Sequence, residues 1–186
     1  MNFSNLTFVI VFVHCLWLCY KFGSNCNNKQ ELKYYTKNRS RVFIELINDI
    51  NRIVEWCFEH KYPTKEDSIR LLMNWKKVKV HETNYMDHVA YVIDKNKKLY
   101  LCVSKPNDED EDRNTMRFVV LHELAHMMSA SYGHNTEFSK NFLHLLKVGT
   151  KLRIYNPIDY SVSPVKYCGT NVTNTPCAHV NCTMNE

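Results

Sequence analysis

The sequence predicts an α+β domain that follows a transmembrane helix near the N-terminus. Apolar residues recur at helical spacing in several segments, and two strand-like segments flank a polar turn directly before one of those helices. An uncharged apolar run near the N-terminus predicts the transmembrane helix. A chain of 186 residues, 45% of them hydrophobic, can bury one ordinary core. We therefore predict one globular domain over residues 41–168.

The apolar run at residues 6–20 contains no charged side chain. It is near the short end of the ~17 to 25 residues that span a bilayer. The basic leader and small-residue cleavage site of a signal peptide are both missing, which favours an uncleaved anchor within residues 1–22 over a removed leader. A buried or amphipathic helix is the alternative, although the run shows no polar face. Residues 23–40 are predicted to be a polar linker.

Two sets of residues give opposite predictions for the side of the membrane on which the domain lies. Six Lys and Arg residues follow the apolar run between positions 21 and 41 and none precedes it, which favours a cytoplasmic C-terminal domain. Eight cysteines and five N-x-S/T sequons favour the opposite side, the sequons being at Asn2, Asn5, Asn38, Asn171 and Asn181. We predict a single-pass membrane protein, with the balance towards the cytoplasm.

Two helices and a β-hairpin are predicted in the first half of the domain. Apolar residues between positions 42 and 58, spaced by three and four, predict a long amphipathic helix that Pro63 breaks. Thr64 and Asp67 resemble a capping box that begins a second helix, through Trp75. The segments VAYVID and KLYLCV then flank a turn at residues 94–97, which predicts a β-hairpin.

A third helix is predicted to begin near Asn114 or Thr115 and to contain the sequence HELAH. On a helix, His122 and His126 lie one turn apart on the same face, and Glu123 projects about 100° away from His122. Two histidines at this spacing can bind one zinc ion, and the glutamate between them can act on a water molecule. Merely buried histidines would each need a hydrogen-bond partner on an apolar helix. We therefore predict a metal site.

A third protein ligand is needed if one zinc position is left for water. His134 is the candidate, because Gly133 before it can end the helix in a left-handed conformation and turn the chain back. Glu137 is the alternative third ligand. A further helix follows with apolar residues at 138, 142, 145 and 146, and His144 on it is interpreted as structural or exposed.

The sequence HELAH, followed by a histidine within HNTEF, resembles the small zincin group that contains the WLM-type and SprT-like metallopeptidases. The similarity covers residues 117–146. With the hairpin and the segment YNPIDYSVSPVKYCG, residues 85–169 also resemble uncharacterised HExxH proteins of large DNA viruses. The resemblance implies a minimal zincin-like domain, zinc on His122, His126 and His134, and Glu123 as the general base.

These residues predict a zinc-dependent endopeptidase that acts on a protein or peptide. Glu123 would take a proton from a zinc-bound water, and the resulting hydroxide would attack the scissile carbonyl. The alternative is a membrane-anchored metal-binding structural or interaction protein with an inactive zincin-like site, in contact with the membrane through residues 6–20. The net charge of +5 is spread without interleaved aromatics, so nucleic-acid binding is not implied.

Two further groups of residues have open interpretations. Tyr155, Tyr160 and Tyr167 could each donate to an oxyanion, although tyrosines also serve as packing residues. A tail is predicted at residues 169–186, and its cysteines and histidine, with Cys168 before them, have a spacing that matches no standard zinc finger. Free thiols or disulfides are therefore favoured there over a second zinc site, which would use Cys168, Cys177, His179 and Cys182.

Overall fold

The computed structural model describes residues 40–83, 90–93, 98–105 and 110–176, with the backbone alone at 90–93. All of them belong to one compact unit, Ser40–Glu186. Helices and strands are mixed along these residues, which makes the fold α+β. In chain order they are α1 Arg41–His60, α2 Lys65–Lys77, β1 Lys79–Thr83, β2 Ala90–Ile93, β3 Lys98–Cys102, α3 Arg113–Met128, α4 Thr136–Lys151, β4 Val165–Tyr167 and β5 Thr170–Val172.

Helices α1 and α2 confirm the predicted amphipathic pair. The side chain of Ser40 caps α1 by accepting a hydrogen bond from the Phe43 amide at 3.2 Å. Thr64 caps α2 in the same way, with its hydroxyl oxygen 3.1 Å from the Asp67 amide nitrogen. The apolar face of α1 is buried in the core through Val42, Phe43, Leu46, Ile50, Ile53, Val54 and Cys57.

The three-stranded sheet has the order β1-β3-β2, so β3 is its central strand. Strands β2 and β3 pair antiparallel, with Ile93 opposite Lys98, which confirms the predicted hairpin. Strand β1 pairs with the other edge of β3 in parallel, from Lys79 opposite Lys98 to Thr83 opposite Cys102. The central position buries Leu99, Leu101 and Cys102 against the helices.

Helix α3 is the most enclosed helix, in contact with α1, α2, α4 and β2. Its buried residues lie on most sides of the helix, as the sequence predicts. Gly149 lets α4 approach closely, because a Cβ atom there would lie 3.2 Å from Leu121 Cδ1 and 3.2 Å from Tyr155 Cβ. Two charged contacts add to this packing, since Arg117 and Asp49 form an ion pair at 2.7 Å and Arg113 pairs with Glu45.

A disulfide joins Cys102 at the end of β3 to Cys168 beside β4. Strands β4 and β5 form a hairpin, and Cys168 and Gly169 make its turn with φ values of 43° and 81°. Positive φ at both central residues is the requirement of a type I′ turn. Two hydrogen bonds hold this hairpin to the domain: Tyr167 Oη donates to Cys102 O, and Glu111 Oε1 accepts from the Cys168 amide at 2.9 Å.

The membrane predictions need correction. Within residues 40–83, 90–93, 98–105 and 110–176, no helix combines the length and the apolar character needed to cross a membrane. The longest of these helices, α1, has 20 residues but is amphipathic, with charged side chains on its exposed face. The predicted anchor at residues 6–20 lies outside the described residues. The α+β part of the fold prediction is confirmed. The transmembrane helix in front of it, and the single-pass membrane localisation with its cytoplasmic preference, are corrected, because no described helix supports them.

Candidate metal centre

Helix α3 carries the HELAH sequence and begins at a well-formed N-terminal cap. Asp112 Oδ2 accepts from the Thr115 amide at 2.7 Å and from the Thr115 hydroxyl at 2.8 Å. Asp112 is the last residue of the acidic run, so its negative charge lies at the positive end of the helix dipole. The helix is thus fixed at its N-terminus and packed along most of its length before it reaches the histidines.

His122, His126 and His134 point their ring nitrogens towards one another. The Nε2 atoms of His122 and His134 lie 3.0 Å apart, and those of His126 and His134 lie 3.2 Å apart. All three residues offer nitrogens within 4.8 Å of one another. Three nitrogens at ~2.0 to 2.1 Å from one tetrahedral zinc would be about 3.3 Å apart. The three histidines could therefore hold a metal ion.

Hydrogen bonds between the imidazole rings explain the close approach of these nitrogens less well than a shared metal ion does. Nε2 of a neutral imidazole either donates its one proton or accepts through its one lone pair, so it can make one good hydrogen bond. His134 Nε2 faces two nitrogens at once, so it cannot satisfy both in this way. A shared cation satisfies all three lone pairs together.

Phe138 packs against all three candidate ligands. Its ring centroid lies 4.8 Å from that of His122, 4.3 Å from that of His126 and 4.7 Å from that of His134. The Phe138 side chain belongs to the buried core and is on the first turn of α4. Helix α4 therefore presses one aromatic ring against the histidine cluster and limits the orientations of the imidazoles.

The surroundings of the histidines favour their neutral forms. Burial, followed by the charges that His126 and His134 could carry, lowers the pKa of His122 to about 3. Burial, followed by His134, lowers the pKa of His126 to about 4. A neutral imidazole is the form that binds a metal. His134 is exposed, whereas His122 and His126 are half-buried, so the cluster opens to solvent on the side of His134.

Glu123 is buried beside the first ligand, with 8% of its surface exposed. Burial raises the pKa of its carboxyl group to about 7. A buried carboxyl group whose pKa is strongly raised in this way is a feature that is concentrated at functional sites.

The end of α3 differs from the sequence prediction. The helix stops at Met128, five residues before Gly133, and two side chains of α2 bind its last carbonyl groups. Arg70 Nη1 donates to Met128 O at 2.6 Å, and Asn74 Nδ2 donates to Met127 O at 2.7 Å. Gly133 does have a left-handed φ of +81°, but it lies within the loop at residues 129–135 and does not cap the helix.

The other candidate residues lie away from the histidine cluster. Glu137, the alternative ligand, uses both carboxylate oxygens on the backbone of residues 130 and 131. His144 Nδ1 lies 2.9 Å from Tyr62 Oη, which agrees with its structural interpretation. The hydroxyl groups of the three candidate tyrosines bond to Ile158 N, Thr115 Oγ1 and Cys102 O, so Tyr155, Tyr160 and Tyr167 are core residues.

The predicted tail is only partly described. Cys168 forms the disulfide with Cys102, so it is not free to join a second metal site. Cys177, His179 and Cys182 lie outside the described residues. Strand β5, residues 170–172, shows that the first part of the tail pairs with the domain.

Fold and site together define an α+β protein with a three-histidine cluster that could hold a metal ion. The chain is 37% identical over 83 residues to an uncharacterised protein of Acanthamoeba polyphaga mimivirus, a match that covers 44% of this chain and 42% of that protein. It is 33% identical over 70 residues to an uncharacterised protein of Invertebrate iridescent virus 6, covering 36% of this chain and 39% of that protein.

A third relative, an uncharacterised protein of Invertebrate iridescent virus 3, is 36% identical over 72 residues, covering 38% of this chain and 45% of that protein. The matches span less than half the length of each of these viral relatives. No family model matches the chain, and no solved structure matches it significantly.

Proposed function

We propose that this protein is a zinc-dependent peptidase of the HExxH type, similar to the WLM-type and SprT-like metallopeptidases. The observation that carries the proposal is the combination of three convergent imidazole nitrogens with the buried carboxyl group of Glu123, which follows the first of these histidines in the sequence. A zinc ion at His122, His126 and His134 would supply Lewis acidity, which makes water more acidic and polarises a carbonyl group.

The openness of the cluster supports a reaction over a purely structural metal. A structural zinc site is normally closed by four protein ligands. Among the described residues, no fourth histidine, cysteine or acidic side chain joins the cluster, and His134 is exposed. A zinc ion held by these three histidines alone would keep one coordination position for water or substrate.

Glu123 has the role of general base in this proposal. Its carboxylate accepts a proton from the attacking water and then delivers that proton to the nitrogen of the leaving amine. Burial on α3 restricts the Glu123 side chain, which has 8% of its surface exposed. The proposed substrate is a protein or peptide, because a residue that both accepts and returns a proton suits the cleavage of an amide bond, whose leaving amine must be protonated.

Replacing Glu123 with glutamine tests the mechanism in the full-length protein. Glu123→Gln keeps the size of the side chain but removes the base, so we expect hydrolysis of a peptide library to fall by about 10²- to 10⁴-fold. Zinc content should be unchanged, because the three histidines remain. His126→Ala is the matched control, and it should lose both zinc and activity.

Two results would contradict this proposal. Cleavage by Glu123→Gln at the wild-type rate, with equal zinc content, would show that Glu123 is not the base. A zinc-loaded wild-type protein that cleaves no member of a broad peptide library would favour a metal-binding protein without turnover.

A further inference from the structure

The third candidate ligand lies on a loop that is held by side chains from α4 and α2. His122 and His126 are placed by the helix itself, but His134 lies in the loop at residues 129–135, between α3 and α4. Gly133, next to His134, has a Cβ position with no atom within 4 Å, so packing on that side does not hold the loop. The contacts that hold it must come from elsewhere.

Glu137, on the first turn of α4, binds the start of this loop. Its Oε1 accepts from the Ala130 amide at 2.7 Å, and its Oε2 accepts from the Ser131 amide at 3.0 Å and from the Ser131 hydroxyl. Hydrogen bonds to an ionised carboxylate are stronger than neutral ones. Asn135 continues the network, because its Nδ2 donates to Ser131 Oγ at 2.7 Å.

Arg70 connects this network to the end of the motif helix. Its Nη1 lies 3.8 Å from Glu137 Oε1 and also donates to Met128 O at 2.6 Å. Asp67 holds the same guanidinium at 2.7 Å. One cation from α2 therefore joins the last carbonyl of α3 to the carboxylate that binds the loop, so the loop starts in a fixed direction.

We propose that Glu137 is a positioning residue for the metal site: together with Arg70, it holds the loop so that His134 Nε2 meets His122 and His126. This inference rests on the metal site of the proposed function but not on peptide cleavage. Glu137 is not a ligand here, because both of its oxygens are occupied by loop donors and it does not join the histidine cluster.

Zinc affinity of the full-length protein, measured by competition with a coloured chelator, tests this role. Glu137→Ala should bind zinc about 10- to 100-fold more weakly, the loss typical of residues that orient metal ligands. Glu137→Gln should fall between it and the wild type, because its amide oxygen can still accept one loop hydrogen bond. Glu55→Gln, an exposed glutamate on α1, removes the same charge and should leave the affinity unchanged.

The absorption spectrum of bound Co²⁺ separates a positioning residue from a ligand. At saturating Co²⁺, Glu137→Ala should recover the wild-type spectrum, because the same three histidines still bind, whereas His134→Ala should give a different one. If Glu137→Ala does not fold, Glu137→Gln and Arg70→Gln provide the same comparison, with expected losses of zinc affinity and wild-type spectra.

Three results would overturn the inference. They are an unchanged zinc affinity in these variants, a saturated spectrum of Glu137→Ala that departs from the wild type, and the absence of metal binding by the wild-type protein. The last result would remove the proposed function as well. Metal binding without peptide cleavage would remove only the proposed function.

Discussion

His122 and His126 share one turn of α3, whereas His134 lies on a loop. The helical pair is half-buried and its spacing is set by backbone hydrogen bonds within a helix that is packed against α1, α2 and α4. The loop ligand is exposed, and its position depends on side chains from α2 and α4. The comparison teaches that one candidate metal site can combine histidines placed by the geometry of a single helix with a histidine whose loop is held by side chains of two other helices.

The largest expected effect separates the two kinds of ligand directly. His126→Ala and His134→Ala should each abolish stoichiometric zinc retention, since each removes one of three ligands.

His134→Ala keeps the helical pair, while His126→Ala leaves one helical and one loop ligand that must still be ordered. Ordering a side chain costs about 0.5 to 1.5 kcal/mol, so His134→Ala should keep about 2- to 10-fold higher residual affinity. Titration calorimetry measures the residual zinc affinities of the two variants. Equal values would show that the helical pair and the loop histidine do not differ in this way.

A smaller effect is expected from the loop backbone alone. Gly133 has φ +81°, and an added Cβ would meet no atom within 4 Å, so Gly133→Ala adds strain without a clash. The left-handed conformation costs an L-residue ~1 to 2 kcal/mol. We expect zinc binding to weaken by up to about 30-fold. Gly133→Asn is the control, because asparagine tolerates this conformation and should restore most of the affinity.

The smallest effect concerns the pH dependence of stability in the metal-free protein. Hydrogen bonds from Ser131, then from the Ala130 and Ser131 amides, lower the pKa of Glu137 from 4.5 to about 2, with a smaller contribution from Arg70. A carboxyl whose folded-state pKa is depressed stabilises the fold above its unfolded pKa and loses that contribution as pH falls towards the folded one.

The free energy of unfolding of the wild type, relative to Glu137→Gln, should therefore be constant above about pH 5.5 and should decline between pH 4.5 and 2. Urea titrations across this range measure it. A difference that does not change with pH would mean that the Glu137 carboxylate does not hold the loop in its charged form.

The sequence predicted the features that depend on local spacing. Helical periodicity located α1, α2 and α4, and the turn residues located the hairpin of β2 and β3. The convergence of His122, His126 and His134 was predicted from the spacing on α3 and the return of the chain after it. These predictions succeeded because each rests on contacts between residues close in sequence.

Most of the remaining features depend on contacts between distant residues. The end of α3 at Met128 is set by Arg70 and Asn74, which lie 58 and 53 residues from the carbonyls that they bind. The parallel pairing of β1 with β3 could not be read from alternation alone, since either edge of the hairpin could accept a further strand. Glu137 had the right chemistry for a ligand, and only the positions of residues 130 and 131 show what it binds.

The disulfide between Cys102 and Cys168 has a sequence separation of 66 residues, and α3, α4 and all three histidines lie between these cysteines. The three histidines are therefore enclosed in a covalent ring. A single proteolytic cut anywhere inside that ring opens the ring but leaves both pieces attached. Such a nicked protein would run as one band on a non-reducing gel and as two after reduction, and its histidines would stay on one tethered molecule.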